Sequence, residues 1–245
     1  TDAQWESLMR EQLTFCDPDV LERRYLEEFL SQGRVPQNLF YWTDGATTFY
    51  SYRNADLAEI AWREEVAFFM RQPFCGSGQR VAFVSLGCGS AAPEKPLLCR
   101  LQAAGCPVHY VGVDTSARML DLAAENLSEE DFQQHLILGD FGDPDFRARL
   151  DRILDHADCR VTAMIGGTFG NFDQRHVAQV LHNLVAEGDY LYLDVVPLPE
   201  NPEENVRLED RFARLPQNLA GFFEQVLDKL GLSLAQGRLV SKSHP

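Results

Sequence analysis

The stretch Arg80-Val-Ala-Phe-Val-Ser-Leu-Gly-Cys-Gly-Ser90 decides the fold. An apolar run rich in β-branched and aromatic residues stops at a Gly-x-Gly turn, and a helix-forming stretch follows. That is the strand, glycine turn, helix order of a nucleotide-binding βαβ unit, in which the glycines let the backbone approach a ligand that a Cβ would exclude. A second apolar run, Val108-His-Tyr-Val-Gly-Val113, ends at Asp114. It lies roughly 20 to 25 residues on, the interval at which an acidic side chain accepts hydrogen bonds from both hydroxyls of a ribose.

Strands and helices alternate outward from this pair, as a parallel sheet with helical crossovers requires. The pattern predicts strands over 81–86, 108–113, 135–138, 160–165 and 189–196. It predicts helices over 94–104, 117–126, 146–156 and 174–186, with Ser116 as the cap of the second. A polar, Pro-rich stretch over 197–204 precedes a further helix over 218–230 and a last strand within 232–240. Residues 5–70 read as helical and irregular: Leu21-Glu-Arg-Arg-Tyr-Leu-Glu-Glu-Phe-Leu30 has apolar residues at helical spacing, and Val35 to Gly45 breaks that pattern with dense aromatics. The loop Gln72-Pro-Phe-Cys-Gly-Ser-Gly-Gln79 is the best boundary, because Pro and Gly cluster there. The expected architecture is therefore α/β, a doubly wound and mostly parallel sheet over 80–245, with a helical, aromatic N-terminal lobe over 1–79. The aromatic cluster of that lobe (Phe40, Tyr41, Trp42, Phe49 and Tyr50) is too large to leave exposed. It is expected to cover the site from the carboxyl edge of the sheet, near Gly167 and Asn171.

The chain has 245 residues and 45% hydrophobic residues, enough for one α/β domain with an accessory lobe. Its formal charge of −15 repels phosphate backbones and anionic lipid, so nucleic-acid and membrane partners are disfavoured. No apolar run approaches the roughly 20 residues that span a bilayer, and the first residues show no secretory signal. Cys16, Cys75, Cys88, Cys99, Cys106 and Cys159 are scattered, with no Cys-x-x-Cys pair. They read as reduced thiols of a cytoplasmic protein. The histidines have no ligand spacing to one another, so no metal site is expected.

Features further along choose the nucleotide. The third core strand ends in Gly139-Asp140-Phe141, where a carboxylate beside an aromatic ring suits adenine: the carboxylate takes the amino group and the ring packs near the purine. The fourth ends in Gly166-Gly-Thr-Phe-Gly-Asn171, a backbone-exposed end at the edge where open α/β folds bind ligands. No Tyr-x-x-x-Lys constellation for hydride transfer follows it, which disfavours an NAD-dependent oxidoreductase. Gly-Cys-Gly-Ser, then Asp114-Thr-Ser, then Gly-Asp-Phe is the run of a class I methyltransferase that uses S-adenosylmethionine (SAM).

Leu86-Gly-Cys-Gly-Ser90 with Pro93-Glu-Lys95, Val113-Asp-Thr-Ser-Ala-Arg-Met-Leu120, Gly139-Asp-Phe141 and Ile165-Gly-Gly-Thr-Phe-Gly-Asn-Phe172 together resemble the histidine-specific methyltransferase family, which trimethylates the α-amino group of histidine on the way to ergothioneine. Asn38 to Gly45 and Leu191 to Val196 resemble that family's aromatic segment and fifth strand. The resemblance implies that Gly87, Gly89, Lys95, Asp114, Asp140 and Phe141 bind SAM. It also implies that Asn171 contacts an amino-acid substrate and that Tyr41 sits in the accessory lobe near it. The chain departs from the family pattern in a longer interval from Gly87 to Lys95, in Ser51-Tyr-Arg-Asn-Ala-Asp56 where the family carries Tyr-Tyr-Pro, and in an end at Pro245 that precedes the family's C-terminal strands. The expected function is methyl transfer to a small molecule, the amine of a histidine-like amino acid or a related compound. An oxygen acceptor on a natural product, or a domain that holds SAM or S-adenosylhomocysteine without turnover, are the alternatives. No residue is assigned as the general base.

Overall fold

The structure is a computed structural model that describes residues 10–32, 41, 66–195 and 227. Among the described residues, six strands form one sheet: β1 (Arg10–Thr14), β2 (Val81–Leu86), β3 (Val108–Asp114), β4 (Gln133–Leu138), β5 (Cys159–Met164) and β6 (Tyr190–Leu193). Their spatial order is β1-β4-β3-β2-β5-β6, and every pair is parallel. The chain moves from β2 outward through β3 to β4, then returns to place β5 on the other side of β2. The crevice between the carboxyl ends of β2 and β5 is thus the switch point at which such sheets bind ligands.

Both faces of the sheet are covered, which explains why the central strands read as unbroken apolar runs. Side chains alternate along β2: Val81 and Phe83 join one core, Ala82, Val84 and Leu86 the other. The first core takes Leu97, Leu98 and Leu101 from α2 (Glu94–Ala103), together with Leu120, Ala123 and Leu127 in and after α3 (Ala117–Asn126). The second takes Phe146 and Leu150 from α4 (Phe146–Ile153), and Val177, Leu181 and Leu184 from α5 (Gln174–Leu184). This is the doubly wound arrangement expected. Two caps fix helix starts: the Ser116 hydroxyl accepts from Met119 N–H at 3.2 Å, and Asp173 Oδ1 accepts from His176 N–H at 2.8 Å.

Two features differ from the sequence reading. Arg10–Thr14 is a strand where a helical and irregular segment was expected. It pairs with β4 from Arg10↔Gln134 to Thr14↔Leu138, and five residues of mixed polarity on a sheet edge carry no periodic signal. At the expected boundary over 72–79, Phe74 is buried in the first core, as is Phe69 just before it. Phe69 packs on Phe83 and Tyr192 with centroids 5.6 and 4.7 Å away, and Phe74 on Tyr190 at 5.0 Å. β4 also begins earlier, at Gln133, since the amide of Gln134 finds a buried acceptor in the Leu127 carbonyl at 3.2 Å. The expected helix over 218–230, apart from residue 227, and the strand within 232–240 lie outside the described residues. So do the Pro-rich stretch over 197–204 and the aromatic residues Phe40, Trp42, Phe49 and Tyr50.

Candidate cofactor site

The glycine turn leaves β2 in a left-handed conformation, with φ of 69° at Gly87 and 54° at Gly89. Gly87 N–H donates to the Val113 carbonyl at 2.8 Å, which ties the turn to the end of β3. Across the switch point, the Thr168 hydroxyl donates to the Gly87 carbonyl at 3.3 Å and to the Ile165 carbonyl at 3.0 Å. The turns after β2 and β5 are therefore joined side by side, and Thr168 belongs to this arrangement although the sequence reading did not single it out.

Asp114 ends β3 facing the glycine turn. Its Oδ2 accepts from Gly89 N–H at 2.9 Å and its Oδ1 from Ser116 N–H at 2.9 Å. Burial pushes its pKa up, against the backbone N–H groups of Ser116, Gly89 and Thr115, which favour the charged form. Both oxygens keep lone pairs beyond those backbone bonds. Beneath the turn lies a buried polar group: Ser85 donates to Glu94 Oε1 at 2.6 Å, and Glu94 is only 1% exposed. Burial, with Asp114 and Glu94 close by, raises the pKa of the Cys88 thiol well above its usual value.

Lys95 does not join Gly87 and Asp114. The turn closed by Ala91 N–H on the Cys88 carbonyl at 2.9 Å uses up residues before α2 begins at Glu94, and Ala91 takes a left-handed φ of 54°. Lys95 then starts the outer face of α2, where it is 38% exposed and pairs with Glu130 at 2.9 Å and the Asn126 carbonyl at 2.8 Å. The hydrogen bond to Glu130 raises its pKa.

At the end of β4, Asp140 Oδ1 accepts from Gly142 N–H at 2.8 Å, and its Oδ2 accepts from the Tyr25 hydroxyl at 3.3 Å. Phe141 packs edge-on against Phe172, centroids 5.6 Å apart, so the ends of β4 and of the turn after β5 share an aromatic wall. Asn171 closes the 3₁₀ turn Thr168–Asn171 and is exposed. Gly166 N–H in the same segment donates to Asp194 Oδ2 at 2.8 Å, which ties in the end of β6. Tyr41 lies against α3: its carbonyl accepts from the Ser116 hydroxyl, and its side chain packs on Met119 and Leu122. Gly87, Gly89, Asp114, Asp140, Phe141 and Asn171 thus all lie at or after the carboxyl ends of β2, β3, β4 and β5, Tyr41 borders the start of α3, and Lys95 pairs with Glu130. Tyr25 and Thr168 were missed because a tyrosine at helical spacing and a threonine among glycines read as packing and turn residues.

A profile of the family described as "Histidine-specific methyltransferase, SAM-dependent" matches residues 24–195. Among curated proteins, the chain is 28% identical to ergothioneine biosynthesis protein 1 of Schizosaccharomyces pombe over 108 residues. The match covers 42% of this chain and 14% of that protein, a small part of the relative. Among solved structures, the chain is similar to the PH0226 protein of Pyrococcus horikoshii, at TM-score 0.45 and 19% identity over 74% of this chain and 70% of that one. It is also similar to a SAM-dependent methyltransferase of Anabaena variabilis, at TM-score 0.44 and 15% identity over 89% and 77%.

Proposed function

Because the chain belongs to the family of histidine-specific, SAM-dependent methyltransferases, we propose that it transfers the methyl group of SAM to the amine of a small, histidine-like amino acid or a related compound. The observation that carries this reading is the gathering of Gly87, Gly89, Asp114, Asp140 and Phe141 along one edge of the sheet, around the switch point between β2 and β5. Gly87 and Gly89 would let the cofactor lie against the backbone. Asp114 would accept from the ribose hydroxyls, Asp140 from the adenine amino group, and Phe141 would pack near the purine. Asn171, exposed at the same edge, would take the amino or carboxylate end of the acceptor. Tyr41 would close that side from the N-terminal lobe, supported by its contacts with Ser116, Met119 and Leu122. Lys95 is left out of the set because Glu130 holds it.

SAM carries a sulfonium leaving group, so the chain's own work is positioning. It must align the acceptor nitrogen with the methyl carbon and keep water out. The amine must lose a proton to react, and the reading assigns no residue as its base. The reading extends to a small-molecule acceptor, not nucleic acid or membrane, consistent with the charge of −15. No helix among the described residues is long and apolar enough to cross a membrane. A reducing, cytoplasmic setting is supported by six cysteines that form no disulfide.

The test is calorimetry with S-adenosylhomocysteine and NAD, followed by turnover with a panel of amino acids and mass analysis of the products. Binding of S-adenosylhomocysteine and methylation of an amine at nitrogen support the reading. Binding of NAD alone overturns it, methylation of an oxygen acceptor only overturns the amine assignment, and binding without turnover of any acceptor overturns catalysis.

A further inference from the structure

The carboxylate proposed to recognise adenine is held from outside the core βαβ units. β1 runs beside β4, and both Phe15 N–H and Cys16 N–H donate to the Leu138 carbonyl, at 2.8 and 3.3 Å. This sets the start of α1 (Pro18–Gln32) next to Gly139 and Asp140. From α4, Arg149 donates to the Phe15 and Thr14 carbonyls and stacks on the Phe15 ring at 3.9 Å, pinning the strand end from the other side. Asp17 Oδ1 accepts from Asp19 N–H at 2.9 Å and starts the helix. Within α1, two consecutive residues reach Asp140. Tyr25, only 5% exposed, donates its hydroxyl to Asp140 Oδ2 at 3.3 Å. Arg24 Nη1 lies 3.5 Å from the same oxygen and 2.8 Å from Asp143 Oδ1. With Gly142 N–H on Oδ1, the carboxylate is fixed at both oxygens, yet it remains 23% exposed and open to a ligand.

We propose that Tyr25 and Arg24 are positioning residues for cofactor selection: they hold the Asp140 carboxylate at the angle at which it accepts from an exocyclic amino group on a purine. This rests on the reading of Asp140 as the adenine contact. A free carboxylate at a strand end samples several rotamers, and fixing one lowers the entropy lost when the ligand binds. Tyr25 takes one lone pair of Oδ2 and Gly142 N–H one of Oδ1, so Oδ1 keeps a second lone pair for the amino group. Discrimination for the adenine amino group is thereby built partly into a helix that precedes the core fold.

The experiment compares S-adenosylhomocysteine with its analogue in which the adenine amino group is replaced by hydrogen, both titrated into the full chain. For Tyr25→Phe, affinity for S-adenosylhomocysteine is expected to fall about three- to tenfold, the size of one hydrogen bond. Affinity for the analogue should stay unchanged, so the preference between the two shrinks. Arg24→Gln should act in the same direction. Asp140→Ala should abolish the preference, and adding Tyr25→Phe to it should change nothing further. If Tyr25→Phe lowers both affinities equally, or lowers neither, the positioning role is overturned while the Asp140 reading stands. If Asp140→Ala leaves the preference intact, the adenine contact itself is wrong and the proposal falls with it. Thermal melting of each variant keeps the interpretation clear: Tyr25→Phe removes one oxygen and should melt within a few degrees of the parent.

Discussion

A Cβ on Gly87 would stand 2.6 Å from the Cγ2 methyl of Thr168. The turn after β2 and the turn after β5 therefore touch at the one place where the sheet changes direction, and the absence of a side chain at Gly87 permits it.

Gly87→Ala is expected to destabilise the protein by about 1 to 3 kcal/mol, combining the left-handed φ with the collision. Gly89→Ala carries the same kind of φ but has no atom within 4 Å of its Cβ, so it should cost about 1 to 2 kcal/mol at most. Thr168→Ser, which removes the colliding methyl and keeps the hydroxyl to the Gly87 carbonyl, should recover part of the Gly87→Ala loss. Denaturant midpoints of the three single variants and the double variant measure this. Equal costs at Gly87 and Gly89 would refute the steric account.

Asp114→Ala should weaken S-adenosylhomocysteine binding by roughly 2 to 4 kcal/mol, since bonds from neutral donors to a charged acceptor contribute ~1.5 to 3 kcal/mol each. Asp114→Asn should rescue little. Each carboxylate oxygen accepts a backbone N–H, from Gly89 or from Ser116, so an amide nitrogen would face one of them donor to donor. Calorimetry on folded variants is the check, and near-parental affinity in either variant would leave Asp114 as a turn-holding residue only.

His109 and His135 form a buried pair at the opposite end of the strands, with Nε2 and Nδ1 2.6 Å apart and Glu11 Oε2 3.5 Å from the far nitrogen of His135. Burial, helped by His135, lowers the His109 pKa from 6.5 to about 3. Burial also lowers that of His135, with Glu11 opposing. The unfolded chain takes up a proton near pH 6.5 that the native state refuses until about pH 3. Stability from this group is thus present above pH 6.5 and lost as pH falls through that window, by about 1.4 kcal/mol per pH unit for one proton. His109→Gln should flatten the fall in urea midpoint between pH 6.5 and 4. An unchanged slope would assign acid sensitivity to other groups.

Cys88 should resist alkylation in the native protein. Burial, with Asp114 and Glu94 nearby, disfavours its thiolate, which is the reactive form. Iodoacetamide at pH 8, followed by peptide mass analysis, should modify Cys88 only after unfolding. Native labelling at the rate of a free thiol would contradict the burial.

The legible part of this protein is what repeats or what glycine alone can do. Apolar runs such as Val81–Leu86 and Val108–Asp114 declare buried parallel strands, because both of their faces meet helices. Gly-Cys-Gly and Asp114 declare a sharp turn at the carboxyl edge of the sheet, the edge proposed to take the nucleotide. The family's motif order added Asp140 and Phe141. Lys95 is named by its position in a motif; in the fold it follows the turn at Ala91 and pairs with Glu130.

Sequence by itself determined the core: the alternation of strands and helices, the glycine turn and the acidic residue that follows the next strand, since each is specified by local periodicity or by backbone freedom. Only the tertiary structure decided what surrounds Asp140. That Arg10–Thr14 joins the sheet, that Tyr25 and Arg24 meet a carboxylate more than a hundred residues away, and that Thr168 fits over Gly87 depend on pairing between distant segments. Such pairing is fixed by which surfaces fit once the sheet has formed, and short polar or singly placed residues leave no periodic trace of it along the chain.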